Sequence, residues 1–247
     1  KYPNFLKNQK IYECQDCKSK FLNKLLNYKD ENYRKITNDS NNVNELKFLS
    51  KELNNQIKFL DLEKISTKTI LDVGCGTGFL LDYLKPLTKK TYALEKNLNF
   101  INHLRKSGHY TYTDISEIDN ESFDIVTCFN VIEHIDGVID FIKSLHRIVK
   151  PNGYLIIETP NSDDYLIDLL GKSFKQFYYR TQHRNYFNEE SLKNILKYSQ
   201  INKYEFIYSQ KYGIENLFNW VRNKKPGLSN KFVFEEHFNN NFKKIIE

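Results

Sequence analysis

The segment from Thr69 through Gly74, Gly76 and Gly78 to Leu84, reading TILDVGCGTGFLLDYL, constrains this chain more than any other. A short apolar run flows into three alternating glycines and then into residues of helical character, so strand, glycine loop and helix follow in that order. With no Cβ at Gly74, Gly76 and Gly78, the main chain leaves room for a nucleotide-like ligand at the strand's carboxyl end. The dinucleotide fingerprint G-x-G-x-x-G would need a glycine at position 79, where Phe79 stands, so a nicotinamide cofactor is disfavoured.

The pattern repeats downstream. Thr91 to Leu94, Tyr110 to Thr113, Phe123 to Phe129 and Tyr154 to Glu158 read as strands, and Leu98 to Lys106 and Ile139 to Val149 as helices, the second stopped by the turn Pro151-Asn-Gly153. Strands alternating with helices on this scale predict an α/β fold with a doubly wound, mostly parallel sheet. Upstream, Val43, Leu46, Leu49, Leu53, Ile57 and Leu60 recur at helical spacing, predicting an amphipathic helix that packs on the strand-and-helix region after it. Downstream, a helix is expected from Glu189 to Tyr198 and a strand from Tyr204 to Ser209. The expected organisation is an N-terminal extension over 1–42, a main domain over 43–210 and a cap or tail over 211–247.

A chain of 247 residues, 40% of them hydrophobic, can bury one substantial core. It has no apolar run of transmembrane length, and Lys1 to Lys10 lacks the features of a secretory signal, so a cytoplasmic protein without membrane insertion is expected. The net charge of +6 is spread among acidic residues; it suits an anionic small partner and does not demand nucleic acid. No coiled-coil seam specifies oligomerisation, which leaves a homodimer open. The chain contains no Met, so local motifs are a safer guide than long spacings.

Leu71 to Gly78 closely resembles motif I of class I S-adenosylmethionine (SAM)-dependent methyltransferases, and the resemblance extends over roughly Lys68 to Asn161. It implies SAM as cofactor, with S-adenosylhomocysteine as product, bound by Asp72, Gly74, Cys75, Gly76 and Gly78. Glu95, beside Lys96, follows the next strand, where an ionised carboxylate accepts hydrogen bonds from ribose hydroxyls. Asp114 corresponds to the family's adenine-contacting acid, with Ile115 covering the ring. Asn130 and Val131 would lie near the methionine part of the cofactor. Three of these have a structural alternative: a tight strand-to-helix turn without ligand for the glycine loop, a solvated helix start for Glu95 and a helix cap for Asp114.

Phe123 to Ile135 is similar to the ubiquinone-type O-methyltransferases, whose Glu-x-x-Glu-His arrangement holds a divalent metal. Here Asn130 replaces the first acid, so no metal is expected. Glu133 and His134 remain, with His134 a candidate general base and simple anchoring of the loop as the alternative. Gln182 to Leu192 resembles bacterial methyltransferases that act on sugars and lipids. That resemblance implies an acceptor site at Tyr178, Tyr179, Arg180 and Arg184, with His183 as a second candidate base; the alternative is packed aromatics and solvated arginines. The expected acceptor is a small anionic metabolite, such as a nucleotide-sugar or sugar phosphate used for a bacterial capsule polysaccharide.

Tyr12 to Phe21, with Cys14 and Cys17, resembles half of a zinc ribbon, but four ligands are needed and no second Cys-x-x-Cys exists. Asn216 to Gly227 resembles the tail of the small-acceptor branch, whose last strand is not seen before Glu247, which leaves truncation open. A nucleic-acid methyltransferase is the weaker alternative, because the Pro-Pro-aromatic motif of base amino-methyltransferases does not follow Asn130, and Cys128 lies mid-strand after Thr127. A non-catalytic SAM-binding module is the third reading.

Overall fold

The computed structural model describes residues 10–22, 52–179, 183–224 and 244. In chain order, β1 (Ile11–Glu13) and β2 (Lys20–Leu22) precede a short helix α1 at 52–57. The main alternation is β3 (Thr69–Val73), α2 (Phe79–Leu84), β4 (Lys90–Leu94), α3 (Leu98–Lys106), β5 (Tyr110–Tyr112), β6 (Phe123–Phe129), α4 (Val138–Arg147) and β7 (Val149–Glu158). Then come α5 (Tyr165–Leu169), α6 (Gly171–Tyr178), β8 (Asn185–Tyr186), α7 (Glu189–Tyr198) and α8 (Ile214–Asn223). No helix among the described residues is long and apolar enough to cross a membrane.

Backbone contacts group the chain into two compact units, 27–159 and 1–26 with 160–247. This grouping differs from the three consecutive segments expected along the sequence, because β2 pairs antiparallel with β8, Lys20 opposite Tyr186.

The 27–159 unit holds a five-stranded sheet in the order β5-β4-β3-β6-β7, every pair parallel. The chain winds outward from β3 through β4 to β5 and then returns to β6 on the other side of β3, which makes β3/β6 the topological switch point. Apolar runs such as Ile70 and Leu71 in β3 and Val126 in β6 are fully buried, as a parallel sheet requires. One cluster joins Leu80 and Leu84 of α2 to Ile70, Ile125, Leu60 and Ile65, with Leu53 and Ile57 of α1 packed on it. A second joins Leu81 to Ala93 and to Phe100, Ile101 and Leu104 of α3. The amphipathic helix expected over 43–62 is thus described only at 52–57.

The other unit pairs β1, β2 and β8 and is built around an aromatic core of Phe174, Tyr178, Tyr179, Tyr186 and Trp220 with Leu22, Leu166 and Ile167. Trp220 lies edge-on to Phe174 at 5.3 Å. Helix α7 matches its expected span, started by a capping box in which the Asn188 side-chain Oδ1 accepts from the Ser191 amide.

Two expectations are corrected. Val149 ends no helix: α4 stops at Arg147 and β7 begins at Val149, running through Pro151-Asn-Gly153, with Asn152 at φ 62 and an irregular register opposite Phe123 to Ile125. That bulge absorbs residues a regular strand would exclude. Tyr204 to Ser209 forms no strand. Ile207 and Tyr208 are 65% and 46% exposed, and alternating aromatics without a paired backbone do not make a sheet.

At the amino end of the sheet, Asp124 of β6 ties three strands. Its Oδ2 accepts from the Thr69 amide (2.9 Å), the Thr69 hydroxyl (2.7 Å) and the Lys150 ammonium (2.9 Å). Burial raises its pKa, but the donors from Thr69 and Lys150 outweigh that and hold it at about 2. A depressed carboxyl contributes stability that is present above its unfolded value near 4 and lost as pH falls toward 2. Asp124→Asn is therefore expected to lower stability by about 1–3 kcal/mol at pH 7. The deficit relative to wild type should shrink below pH 4 in denaturant titrations; one that stays constant with pH would refute the linkage.

Candidate functional site

Because the sheet is parallel, the carboxyl ends of β3, β4, β5 and β6 open on one edge, and the candidate residues come directly after those ends: Gly74 after β3, Glu95 after β4, Asp114 after β5 and Asn130 after β6. Backbone bonds continue the sheet into the loops. The Gly74 amide donates to Leu94 O (2.8 Å), Glu95 to Tyr112 O (3.1 Å) and Asn130 to Glu158 O (2.8 Å).

The glycine loop is left-handed at all three glycines, with φ 69 at Gly74, 56 at Gly76 and 81 at Gly78. The three differ in their surroundings. A Cβ on Gly74 would sit 2.4 Å from Val131 Cγ2, so this glycine lets the loop close across the switch point. A Cβ on Gly78 would sit 2.4 Å from Leu104 Cδ2, so this glycine lets α2 approach α3. Around Gly76 nothing lies within 4 Å of that position, so it faces open space where a ligand can reach the backbone. Beneath Gly78 the buried His109 ring lies 2.8 Å from both Thr91 Oγ1 and Asp82 Oδ1, linking β4 to the first turn of α2.

Glu95 closes the loop. Its Oε2 accepts from the Gly76 amide (3.0 Å) and its Oε1 from the Asn97 amide (2.9 Å). An ionised carboxylate offers about four lone-pair positions, so both oxygens keep capacity for further donors, which is what a ribose diol supplies. Lys96 beside it is exposed, and its charge helps lower the pKa of Asp114. Asp72 is 6% exposed and accepts from Thr127 Oγ1 at 2.7 Å. Burial pushes its carboxyl up to about 7, opposed by the Thr127 hydrogen bond and reinforced by the negative Glu95. Cys75 is half-buried in the loop, and burial raises its thiol well above the usual range.

Asp114 is exposed and is also a cap. Its Oδ1 accepts from the Ser116 amide (2.8 Å) and hydroxyl (2.7 Å), while Glu117 Oε1 accepts from the Asp114 amide (2.8 Å). The Ser116 hydroxyl and then its amide hold the Asp114 pKa below the ordinary value. The bonds use one carboxyl oxygen and leave the second for a ligand. Ile115 is half-buried beside it.

Asn130, at φ 55, and Val131 turn the chain out of β6 into a short 3₁₀ turn, Ile132–His134. Glu133 is 2% exposed and its Oε2 accepts from Thr159 Oγ1 at 3.2 Å, so its carboxylate anchors the turn. His134 is half-buried on the same turn.

The remaining candidates belong to the second unit. Tyr178 and Tyr179, expected to line an acceptor site, are 9% and 8% exposed in the aromatic core, with Tyr179 stacked edge-on against Tyr186 at 4.9 Å. Arg184 is half-buried, the His183 ring lies 5.7 Å from that of Tyr186, and Arg180 lies outside the described residues. A groove of about 440 Å³ in this unit is lined by Ile11, Lys172, Lys175, Gln176 and Tyr179. Cys14 and Cys17 are half-buried thiols on the turn between β1 and β2; the amides of Cys17 and then Asp16 lower the Cys14 pKa.

Reading the sequence missed Thr127, Glu117 and Thr159. Thr127 is a polar residue inside an apolar strand, and Asp114 to Glu117 has the spacing of a capping box, so both left a local signal. Thr159 left none.

A family model described as a methyltransferase domain matches residues 46–203. The chain is 36% identical over 113 residues to a ubiquinone biosynthesis O-methyltransferase of Rickettsia typhi, covering 41% of this chain and 45% of that protein. It is 32% identical over 121 residues to one of Photobacterium profundum, covering 42% of this chain and 49% of that protein. It therefore spans less than half the length of these curated relatives. Among solved structures, a SAM-dependent methyltransferase from Archaeoglobus fulgidus superimposes with a TM-score of 0.54 at 19% identity, covering 80% of this chain and 87% of that one, which is a likeness of fold.

A carboxyl whose folded-state pKa is raised favours the neutral form, so its contribution to stability is full below about pH 4 and is lost as pH rises through 7. Asp72→Asn keeps an acceptor for Thr127 and removes that dependence. Its melting temperature is expected to gain on that of the wild type between pH 5 and 8, measured without ligand; parallel curves would show that Asp72 is not held protonated by burial.

Proposed function

The chain belongs to the methyltransferase-domain family of class I SAM-dependent enzymes, and on that premise we propose that it transfers a methyl group from SAM to an oxygen of a small, anionic acceptor. The single observation that carries this reading is the glycine loop closed on Glu95, with Gly76 facing open space at the switch point of a parallel sheet. The donor set fits the cofactor: Glu95 for ribose hydroxyls, Asp114 with Ile115 for adenine, and Asp72, Asn130 and Val131 near the methionine part. A cationic sulfonium and ammonium bound beside the loop would gain from the Glu95 carboxylate, and would draw the buried Asp72, which leans to the neutral form without ligand, toward its charged form.

SAM supplies a methyl group already activated on sulfur. The protein's share is to align the acceptor for in-line displacement and to take its proton. His134 is the proposed base, on the turn after β6, with Glu133 holding that turn in place. His183 is the second candidate. Oxygen is preferred to nitrogen because the relatives are named O-methyltransferases. The anionic class, a nucleotide-sugar or sugar phosphate of the kind built into capsule polysaccharide, is supported by Lys172 and Lys175, which line the groove of the second unit.

Calorimetric titration with S-adenosylhomocysteine is expected to give micromolar or tighter binding, weakened at least tenfold in Glu95→Ala. No binding by folded wild type would overturn the cofactor site. With acceptors screened over sugar phosphates and nucleotide-sugars, and a catechol as the contrasting uncharged class, His134→Ala is expected to lower kcat by about 10²–10⁴. Unchanged turnover in both His134→Ala and His183→Ala would remove the base assignment.

A further inference from the structure

The turn that carries Asp114 is held from outside by one residue. Arg147, the last residue of α4, is half-buried, and its guanidinium reaches across to the segment after β5. Nη2 donates to the Ile115 carbonyl (3.1 Å) and Nη1 to the Ile118 carbonyl (2.8 Å) and to Asn120 Oδ1 (2.7 Å). The Arg147 carbonyl in turn accepts from the Glu121 amide at 3.0 Å. One side chain and its own backbone thus fasten residues 115–121 at four points.

The geometry explains why an arginine stands there. Residues 115–117 form a single 3₁₀ turn whose closing bond, from the Ile118 amide to the Ile115 carbonyl, is long at 3.3 Å, so Arg147 gives that carbonyl a second donor and gives the Ile118 carbonyl beyond the turn another. A planar fork with donors on two nitrogens can meet two carbonyls at once, whereas a lysine ammonium is a compact point donor. At the other end of the turn, Asp114 and Glu117 close the capping box. The box fixes how Asp114 enters the turn, and Arg147 fixes where the turn lies against α4.

We propose that Arg147 is a positioning residue that sets the base specificity of the nucleoside site, holding the Asp114–Ile115 turn so that the free carboxyl oxygen of Asp114 meets an exocyclic amino group. This rests on the reading of Asp114 and Ile115 as the adenine contact. The carboxylate accepts from a 6-amino group and repels a 6-oxo group, so a turn held in register prefers adenine to hypoxanthine. A turn allowed to shift loses that preference before it loses the rest of the cofactor contacts, which come from Gly76, Glu95 and Asp72 on other strands.

The test compares S-adenosylhomocysteine with S-inosylhomocysteine, in which hypoxanthine replaces adenine, by calorimetry on wild type, Arg147→Lys and Asn120→Ala. Wild type is expected to prefer the adenine ligand. Arg147→Lys is expected to weaken the adenine ligand about tenfold and the hypoxanthine ligand far less, collapsing the ratio. Asn120→Ala, at an exposed position, removes one guanidinium partner and is expected to lower the ratio in the same direction by a smaller factor; it carries the test if Arg147→Lys does not fold. Equal weakening of both ligands, or an unchanged ratio in the variants, overturns the proposal, because a merely structural arginine would not discriminate between bases. Failure of wild type to bind S-adenosylhomocysteine overturns the cofactor reading itself and this inference with it.

Discussion

The hydrogen bond from the Gly76 amide to Glu95 Oε2 is the contact on which the candidate site depends. It joins the loop after β3 to the residue after β4 and holds a left-handed backbone open to solvent at Gly76 instead of letting it collapse onto α2. The same carboxylate takes the Asn97 amide at the start of α3, so one side chain sets the spacing between the glycine loop and the next helix. Val131 against Gly74 and Leu104 against Gly78 brace the loop from the two sides, and neither contact would survive a Cβ on the glycine.

Charge is arranged around that loop in an uneven way. Asp72 is buried with Thr127 as its hydrogen-bond donor and is driven toward the neutral form, whereas Asp114 is exposed and held ionised by Ser116. Two carboxyls on β3 and after β5 therefore differ in protonation tendency because one has lost water and the other has gained donors. Asp124 at the opposite end of the sheet is the third case, where donors from Thr69 and Lys150 outweigh burial and the group serves the fold alone.

Much of the sheet was legible in the sequence because each strand is a short apolar run and each helix an amphipathic one. β6 and α7 fall on their expected spans, and β4 and β5 begin or end within one residue of them. The failures have local causes. Pro151, Asn152 and Gly153 have the composition of a turn, yet sit inside β7 because a bulge at the strand's start accommodates them. Tyr204 to Tyr208 has strand-like residues, but no strand among the described residues pairs with it. The aromatics at 178 and 179 could have faced a ligand or a core, and nothing in residue type decides between the two.

The sequence by itself determined the order of strand, glycine loop and helix, the left-handed positions that only glycine accepts cheaply, and the acids that come after successive strands. Those properties are set over a few residues, by backbone sterics and by the period of apolar side chains. Tertiary structure alone decided that Thr127 meets Asp72 across 55 residues of chain, that β2 pairs with β8, that Tyr178 and Tyr179 enter the core, and that Arg147 clamps the turn after Asp114. These contacts arise from strand order, register and the way helices cover the sheet, which bring distant residues together by geometry that no spacing along the chain encodes.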